Sequence, residues 1–161
     1  MSKIDLATRA VVQTVAFPAG SKPYMLRVSP DGAVVWVQTG SANTNTALAV
    51  DTMETLWTTP TGRGPVQSAF GPAGGRYGLV THLDEPFVLA LVRETGREAQ
   101  RIDVGGPQAN ASFAPDGATA FVTVTNRAEV VAIDMTELAV VGRVSVGEEP
   151  MGLVVFDPAS V

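Results

Sequence analysis

The sequence predicts an all-β fold built from repeats, on three observations. Prolines recur with one period. Pro30, Pro72, Pro115 and Pro158 are spaced by 42, 43 and 43 residues, and Pro23, Pro65, Pro107 and Pro150 by 42, 42 and 43. There are 24 valines and 16 threonines in 161 residues, and β-branched side chains suit a pleated surface. Short runs such as Val34-Val35-Trp36-Val37, Phe87-Val88-Leu89-Ala90 and Ala120-Phe121-Val122-Thr123 are bounded by Gly, Pro, Asn and Asp, which is the strand signature. Four strands in each repeat of about 42 residues is the arithmetic of a β-propeller blade.

The elements follow in chain order. The N-terminus enters in mid-repeat: residues 4–8 match the end of a third strand (c), and residues 10–17 match a fourth (d). Three full repeats cover 23–64, 65–106 and 107–149. The third is the clearest, with strand a at 109–113, b at 119–125, c at 129–134 and d at 139–146. Residues 150–161 supply one more strand a, expected over 151–156. The blades are therefore 1–22 (c and d only), 23–64, 65–106, 107–149 and 150–161 (a only), about three and a half in one partial domain.

Strands a and b are joined by Ser29-Pro30-Asp31-Gly32 and Ala114-Pro115-Asp116-Gly117, with Gly71-Pro72-Ala73-Gly74 as a weaker copy and Phe156-Asp157-Pro158-Ala159 as an echo. Proline fixes φ, Asp tolerates the bridge region, and Gly permits positive φ. Asp5, Asp51 and Asp134 recur at the end of strand c and are expected to cap the following turn. Trp36, Gly78 and Phe121 are expected at equivalent strand-b positions.

Composition excludes several functions. There are no cysteines and one histidine, so disulfides, thiolate sites and multi-histidine metal sites are absent. Net charge is −5, with 11 basic residues that never cluster. Nucleic acid and anionic membranes, which need a basic patch, are not expected partners. The longest apolar run, Phe87 to Val92, is far short of the roughly twenty residues of a membrane span. No Gly-x-Ser-x-Gly elbow, Walker loop or Rossmann fingerprint occurs.

Repeat three, through Ser112-Phe113-Ala114-Pro115-Asp116-Gly117, Phe121-Val122-Thr123, Ala132-Ile133-Asp134 and Val144-Ser145-Val146-Gly147, resembles the YVTN-type β-propeller repeat. Repeat one matches at Val28 to Gly32, Trp36-Val37 and Ala49-Val50-Asp51. Repeat two departs, with Ala73 for the turn Asp and Val92 for the strand-c Asp. WD40 repeats are a poorer match, since no Gly-His or Trp-Asp pair occurs. The resemblance implies rings usually of seven blades, with ligands held over the central channel by the d–a loops and b–c turns. It also implies that strand a lines that channel, with Arg27, Gln67, Ser68 and Asn110 as its polar members.

The b–c turns are expected at 40–45, 82–85 and 125–128. The candidate ligand-binding residues are Lys22, Arg27, Arg63, His82, Asp84, Asn110 and Glu149, with no catalytic residue and no metal ligand assigned. His82 with Asp84 and Glu85 forms the most chemical-looking group, a divalent-cation or general-base candidate set against a polar hairpin turn. Arg27 has the planar fork that grips a carboxylate or phosphate. The expected function is a non-enzymatic scaffold or binding module without a cofactor. The alternative is a lactonase-like or amine-dehydrogenase-like enzyme, which would need a divalent cation or a quinone-linked site. A partial ring leaves open edges, so the expected partner is a second copy or a complementary propeller half. A complete chain of this kind is expected in the cytoplasm. A piece of a longer family member is expected to be secreted or periplasmic.

Overall fold

The computed structural model describes residues 1–156. The echo of the Pro-Asp-Gly turn expected at Phe156-Asp157-Pro158-Ala159 lies outside them from Asp157 on. Among the described residues, fourteen strands form four antiparallel sheets. A half-blade holds β1 (Ser2–Asp5) and β2 (Ala10–Thr14). Blade one is β3 (Pro23–Val28), β4 (Val34–Thr39), β5 (Thr44–Ala49) and β6 (Thr55–Pro60). Blade two is β7 (Pro65–Phe70), β8 (Tyr77–His82), β9 (Phe87–Val92) and β10 (Glu98–Asp103). Blade three is β11 (Gln108–Phe113), β12 (Thr119–Val124), β13 (Glu129–Asp134) and β14 (Ala139–Ser145). In each full blade the strands pair in chain order, a to d. This is a part-ring of propeller blades, as the repeat arithmetic predicts.

The core lies between blades, where facing sheets bury alternate residues. The half-blade packs Met1, Val15 and Phe17 onto Val35, Val37 and Leu48 of blade one. Blade one packs Trp36 and Ala47 onto Val80, Leu89 and Leu91 of blade two. Blade two packs Leu79, Val88 and Ala90 onto Ala120, Val122, Val131 and Ile133 of blade three. The inner strand β7 lies against both β3 and β11.

Four local expectations are corrected. Residues 151–156 form no strand; among the described residues no strand pairs with them to make a ladder. Val155 N–H does reach Ser112 Oγ on β11, at 3.3 Å, so the segment runs beside the inner strands. Gly78 is not the equivalent of Trp36. The turn of repeat two places one more residue between its glycine and strand b, and this shifts Gly78 by one position. By cross-strand register the equivalents of Trp36 are Leu79 and Phe121. Gly78 instead faces Trp36: a Cβ there would lie 2.7 Å from two atoms of the indole.

Asp51 is also out of register. β1, β5, β9 and β13 end at Asp5, Ala49, Val92 and Asp134, and four residues later Arg9, Met53, Gly96 and Leu138 all have positive φ. Asp134 Oδ1 accepts from Glu137 N (2.9 Å) and Thr136 N (2.7 Å), which holds its carboxyl below the usual range. Asp5 Oδ1 does the same for Thr8 N at 2.7 Å. Asp51, two residues beyond the strand end, makes no such bond. Lastly, Thr44-Asn45 belong to β5 and His82 to β8, so the first two b–c turns are shorter than expected, while the third lies at 125–128 as expected.

The Pro-Asp-Gly turns form as the sequence predicts. Gly32 and Gly117 both have φ +73, and their N–H groups close onto Ser29 O and Ala114 O at 2.9 Å. Asp31 and Asp116 accept from Ala33 N (3.1 Å) and Ala118 N (2.9 Å). In repeat two, where Ala73 replaces the Asp, the closing bond slips by one residue, from Gly75 N to Pro72 O.

Candidate functional site

The loop face is built by extending the ladder between strands a and b. Gly40 N donates to Lys22 O (3.0 Å), Leu83 N to Gly64 O (2.9 Å) and Thr125 N to Pro107 O (3.0 Å). These bonds fix each d–a loop against the b–c turn of its own blade. Lys22, Gly64 and Glu149 each precede a proline and have positive φ, at 50°, 63° and 48°. A pre-proline residue is normally extended, so Lys22 and Glu149 hold a strained conformation that glycine takes freely at 64. The strain presents both charged side chains on the surface, where both are exposed.

The cluster at 82–85 separates into two parts. His82 is the last residue of β8 and is fully buried. Its ring tilts against Phe87 at 5.2 Å. Nδ1 lies 3.3 Å from Phe87 O and donates to it. Burial pushes its pKa down to about 4, so the ring is neutral. Nε2 is buried without a partner, and Gly62 lies against it: a Cβ at 62 would stand 3.5 Å away. His82 therefore packs between blades and does not reach the surface. Glu85 is half-buried, and its Oε1 accepts from the exposed Arg63 at N (3.0 Å) and Nε (3.2 Å). The Arg63 backbone N–H is the main cause holding Glu85 below the usual carboxylate range. Arg63 Nη2 also donates to Asp84 O at 3.0 Å. The Asp84 carboxylate is exposed and folds over Gly64, where a Cβ would lie 2.6 Å from Oδ2. Among the described residues no group of three His, Asp or Glu side chains comes together to hold a metal.

The polar members of strand a were expected to line a channel. Gln67 and Ser68 are instead buried between blades. Gln67 Oε1 accepts from Ala111 N of blade three at 2.8 Å, a donor freed by the bulge in β11. Gln38 Nε2 donates to Asn45 Oδ1 (2.9 Å) and to Ser68 Oγ of blade two. Gln108 accepts from His82 N at 3.1 Å and donates to Glu85 O at 2.8 Å, both on blade two, and also donates to Gly106 O. Gln38 and Gln108 were not singled out from sequence. Their only signal is an amide at the loop end of a strand, a position that a polar surface residue fills equally well.

Arg27 is exposed on β3 and lines a cavity of about 310 Å³ with Ala69, Ser112, Phe113 and Val155. Asn110 is half-buried, and its backbone N–H donates to Thr123 Oγ1 at 3.1 Å. Its Oδ1 is buried without a partner. Glu149 lines a separate cavity of about 280 Å³ with Leu83, Thr125, Asn126 and Met151. The seven candidates are thus dispersed. Arg63 and Asp84 meet, His82 lies beneath them, and Lys22, Arg27, Asn110 and Glu149 stand apart.

No protein-family model matches the chain, and no curated protein matches it in sequence. Solved structures match its fold. It is similar to Kuenenia stuttgartiensis hydrazine synthase, with TM-score 0.75 and 20% identity over 86% of this chain and 40% of that one. It is similar to dihydro-heme d1 dehydrogenase NirN, with TM-score 0.75 and 16% identity over 92% of this chain and 33% of that one. It is also similar to the WD40 repeats of RRP9, with TM-score 0.72 and 12% identity over 81% of this chain and 40% of that one. At these identities the likeness is one of propeller fold. The chain spans two-fifths or less of each of these proteins.

Proposed function

We propose that this chain is a non-enzymatic scaffold of YVTN-type propeller repeats, whose loop face binds a protein, glycan or small ligand and whose ring is completed by further blades. One observation carries the reading: buried polar side chains on the a and b strands hold blades to one another. Gln38, Gln67 and Gln108 each bridge two blades, and His82 is neutral and sealed between them. Gln38 Oε1 is left buried without a partner, but the bonds these amides do make join one blade to the next and so specify the interface. The groups left to meet a ligand are the surface charges Lys22, Arg27, Arg63, Asp84 and Glu149, which suit recognition.

Titration calorimetry with calcium and with zinc, run beside a lactone-hydrolysis assay, tests this. The expected result is no saturable heat and no turnover above buffer. Tight metal binding abolished by Asp84→Ala, together with hydrolysis, would overturn the scaffold reading in favour of a lactonase-like site.

A further inference from the structure

The crevice between blades one and two carries charges that its counterpart between blades two and three lacks. Both lie at the blade ends remote from the loop face, under the a–b and c–d turns. The first has a volume of about 450 Å³ and the second about 210 Å³. The walls of the first come from blades one and two, each with all four strands. An apolar floor is common to both crevices, with Phe70 in one and Phe113 in the other. The residues above it differ. Ser29 and Asp31 of one answer to Gly71 and Ala73 of the other, and Arg93-Glu94 answers to Met135-Thr136. Met135 is enough to seal the junction of blades two and three, where it is buried. Blade packing therefore does not call for a cation at the equivalent place.

Arg93 is nonetheless held there with its side chain only 10% exposed. Its Nη1 donates to Gly75 O (2.9 Å) and Pro72 O (3.2 Å), the turn of repeat two that lacks its Asp. Nη2 and Nε make no hydrogen bond among the described residues, and the nearest carboxylate oxygen, Asp31 Oδ2, stands 3.9 Å from Nη2. That is beyond hydrogen-bond reach. The Ser29 hydroxyl, with Ala33 N–H and Arg93, holds Asp31 below the usual carboxylate range, so it is charged. Arg76 and Glu94 also line the crevice, and neither has an ion pair among the described residues. The polar rim thus holds two cations and two carboxylates over Val34, Trp36 and Phe70.

This balance selects the ligand. A plain anion brought to Arg93 would meet Asp31, and a plain cation would find the Phe70 ring already taken by Arg93 at 5.2 Å. A molecule with both charges one carbon apart satisfies both walls. We propose that this crevice binds a free α-amino acid with an apolar side chain. Its carboxylate pairs with Arg93 and Arg76, its ammonium with Asp31 and Glu94, and its side chain rests on Val34, Trp36 and Phe70. The volume is within the range of small-molecule sites.

Calorimetric titration of the 161-residue chain with L-phenylalanine, L-leucine and L-methionine tests this. The expected result is saturable binding of at least one. Its N-acetyl form, which has no ammonium, and its amide, which has no carboxylate, should each bind about tenfold or more weakly, the scale of one charge-assisted hydrogen bond. Arg93→Met, which copies the neighbouring crevice, should abolish binding. Because Arg93 also holds a turn, Asp31→Asn serves as the second variant: it keeps an oxygen for Ser29 and Ala33, removes the charge, and should weaken binding about tenfold. Absence of saturable heat with all three amino acids overturns the proposal. So does equal binding of the N-acetyl form or the amide, or wild-type affinity in Asp31→Asn.

Discussion

β3 and β7 occupy the same place in successive blades, yet one is exposed along its length and the other is buried. Tyr24 is 68% exposed, and its equivalent Val66 is 8% exposed. Both strands are six residues long, and both begin with proline. The difference lies in their neighbours: β7 is flanked by β3 and β11, whereas β3 has only β7. Burial in this fold is thus conferred from outside the blade. A blade's own sequence fixes its strands, and the adjoining blades decide whether those strands form a core.

The sharpest way to break that comparison is to place a charge at each site. Val66→Asp should cost about 3 kcal/mol or more, the scale of an unpaired buried charge, measured by urea denaturation. Tyr24→Asp should stay within about 0.5 kcal/mol. Equal costs would show that β3 is covered in solution.

A second test concerns how blades fit in size. Trp36 rests on Gly78, whereas the corresponding contact between blades two and three sets Leu79 in one cluster with Ala120. Gly78→Ala alone should destabilise by about 1–3 kcal/mol through overpacking. Combining it with Trp36→Leu should recover part of that loss, because the pair then copies the next interface. A double-mutant cycle reads the coupling; simple additivity would mean that the two residues do not touch.

The third effect is a pH dependence centred on blade two. His82 titrates at about 4 when folded and near 6.5 when unfolded. Between those values the unfolded chain binds more protons, so stability is full above about pH 6.5 and falls as pH drops toward 4. Over that window the loss is on the order of 3 kcal/mol. His82→Gln should flatten this slope in pH-dependent melts, while an unchanged slope would assign it to carboxylates.

The smallest effect separates two aspartates that look alike in sequence. Asp134→Ala removes two turn bonds and should lower the melting temperature slightly. Asp51→Ala should leave it unchanged.

Most of the fold was legible because the turn chemistry repeats. The series Pro23, Pro65, Pro107 and Pro150 marks blade boundaries, the Pro-Asp-Gly turns mark the a–b hairpins inside them, and β13 runs from Glu129 to Asp134 as its pattern predicts. What was lost was register at single residues. One extra residue before β8 misplaced Gly78. The look-alike Ala49-Val50-Asp51 drew Asp51 two places out of line with Asp134. The candidate site was less legible. His82, Asp84 and Glu85 read as one polar turn, but β8 is buried from Gly78 onward and takes His82 in with it, while Glu85 lies beyond the strand, half-buried against Arg63. Nor does a linear pattern reveal that Gln38 or Gln108 will reach across to another blade.

The glutamine bridges have a kinetic corollary. Because each joins only adjacent blades, blade two is held from both sides and the end blades from one. Opening should therefore spread inward from the ends, as in a stack of nearest-neighbour units. Amide hydrogens of β8 and β9 should exchange with solvent last, and those of β1 and β14 first.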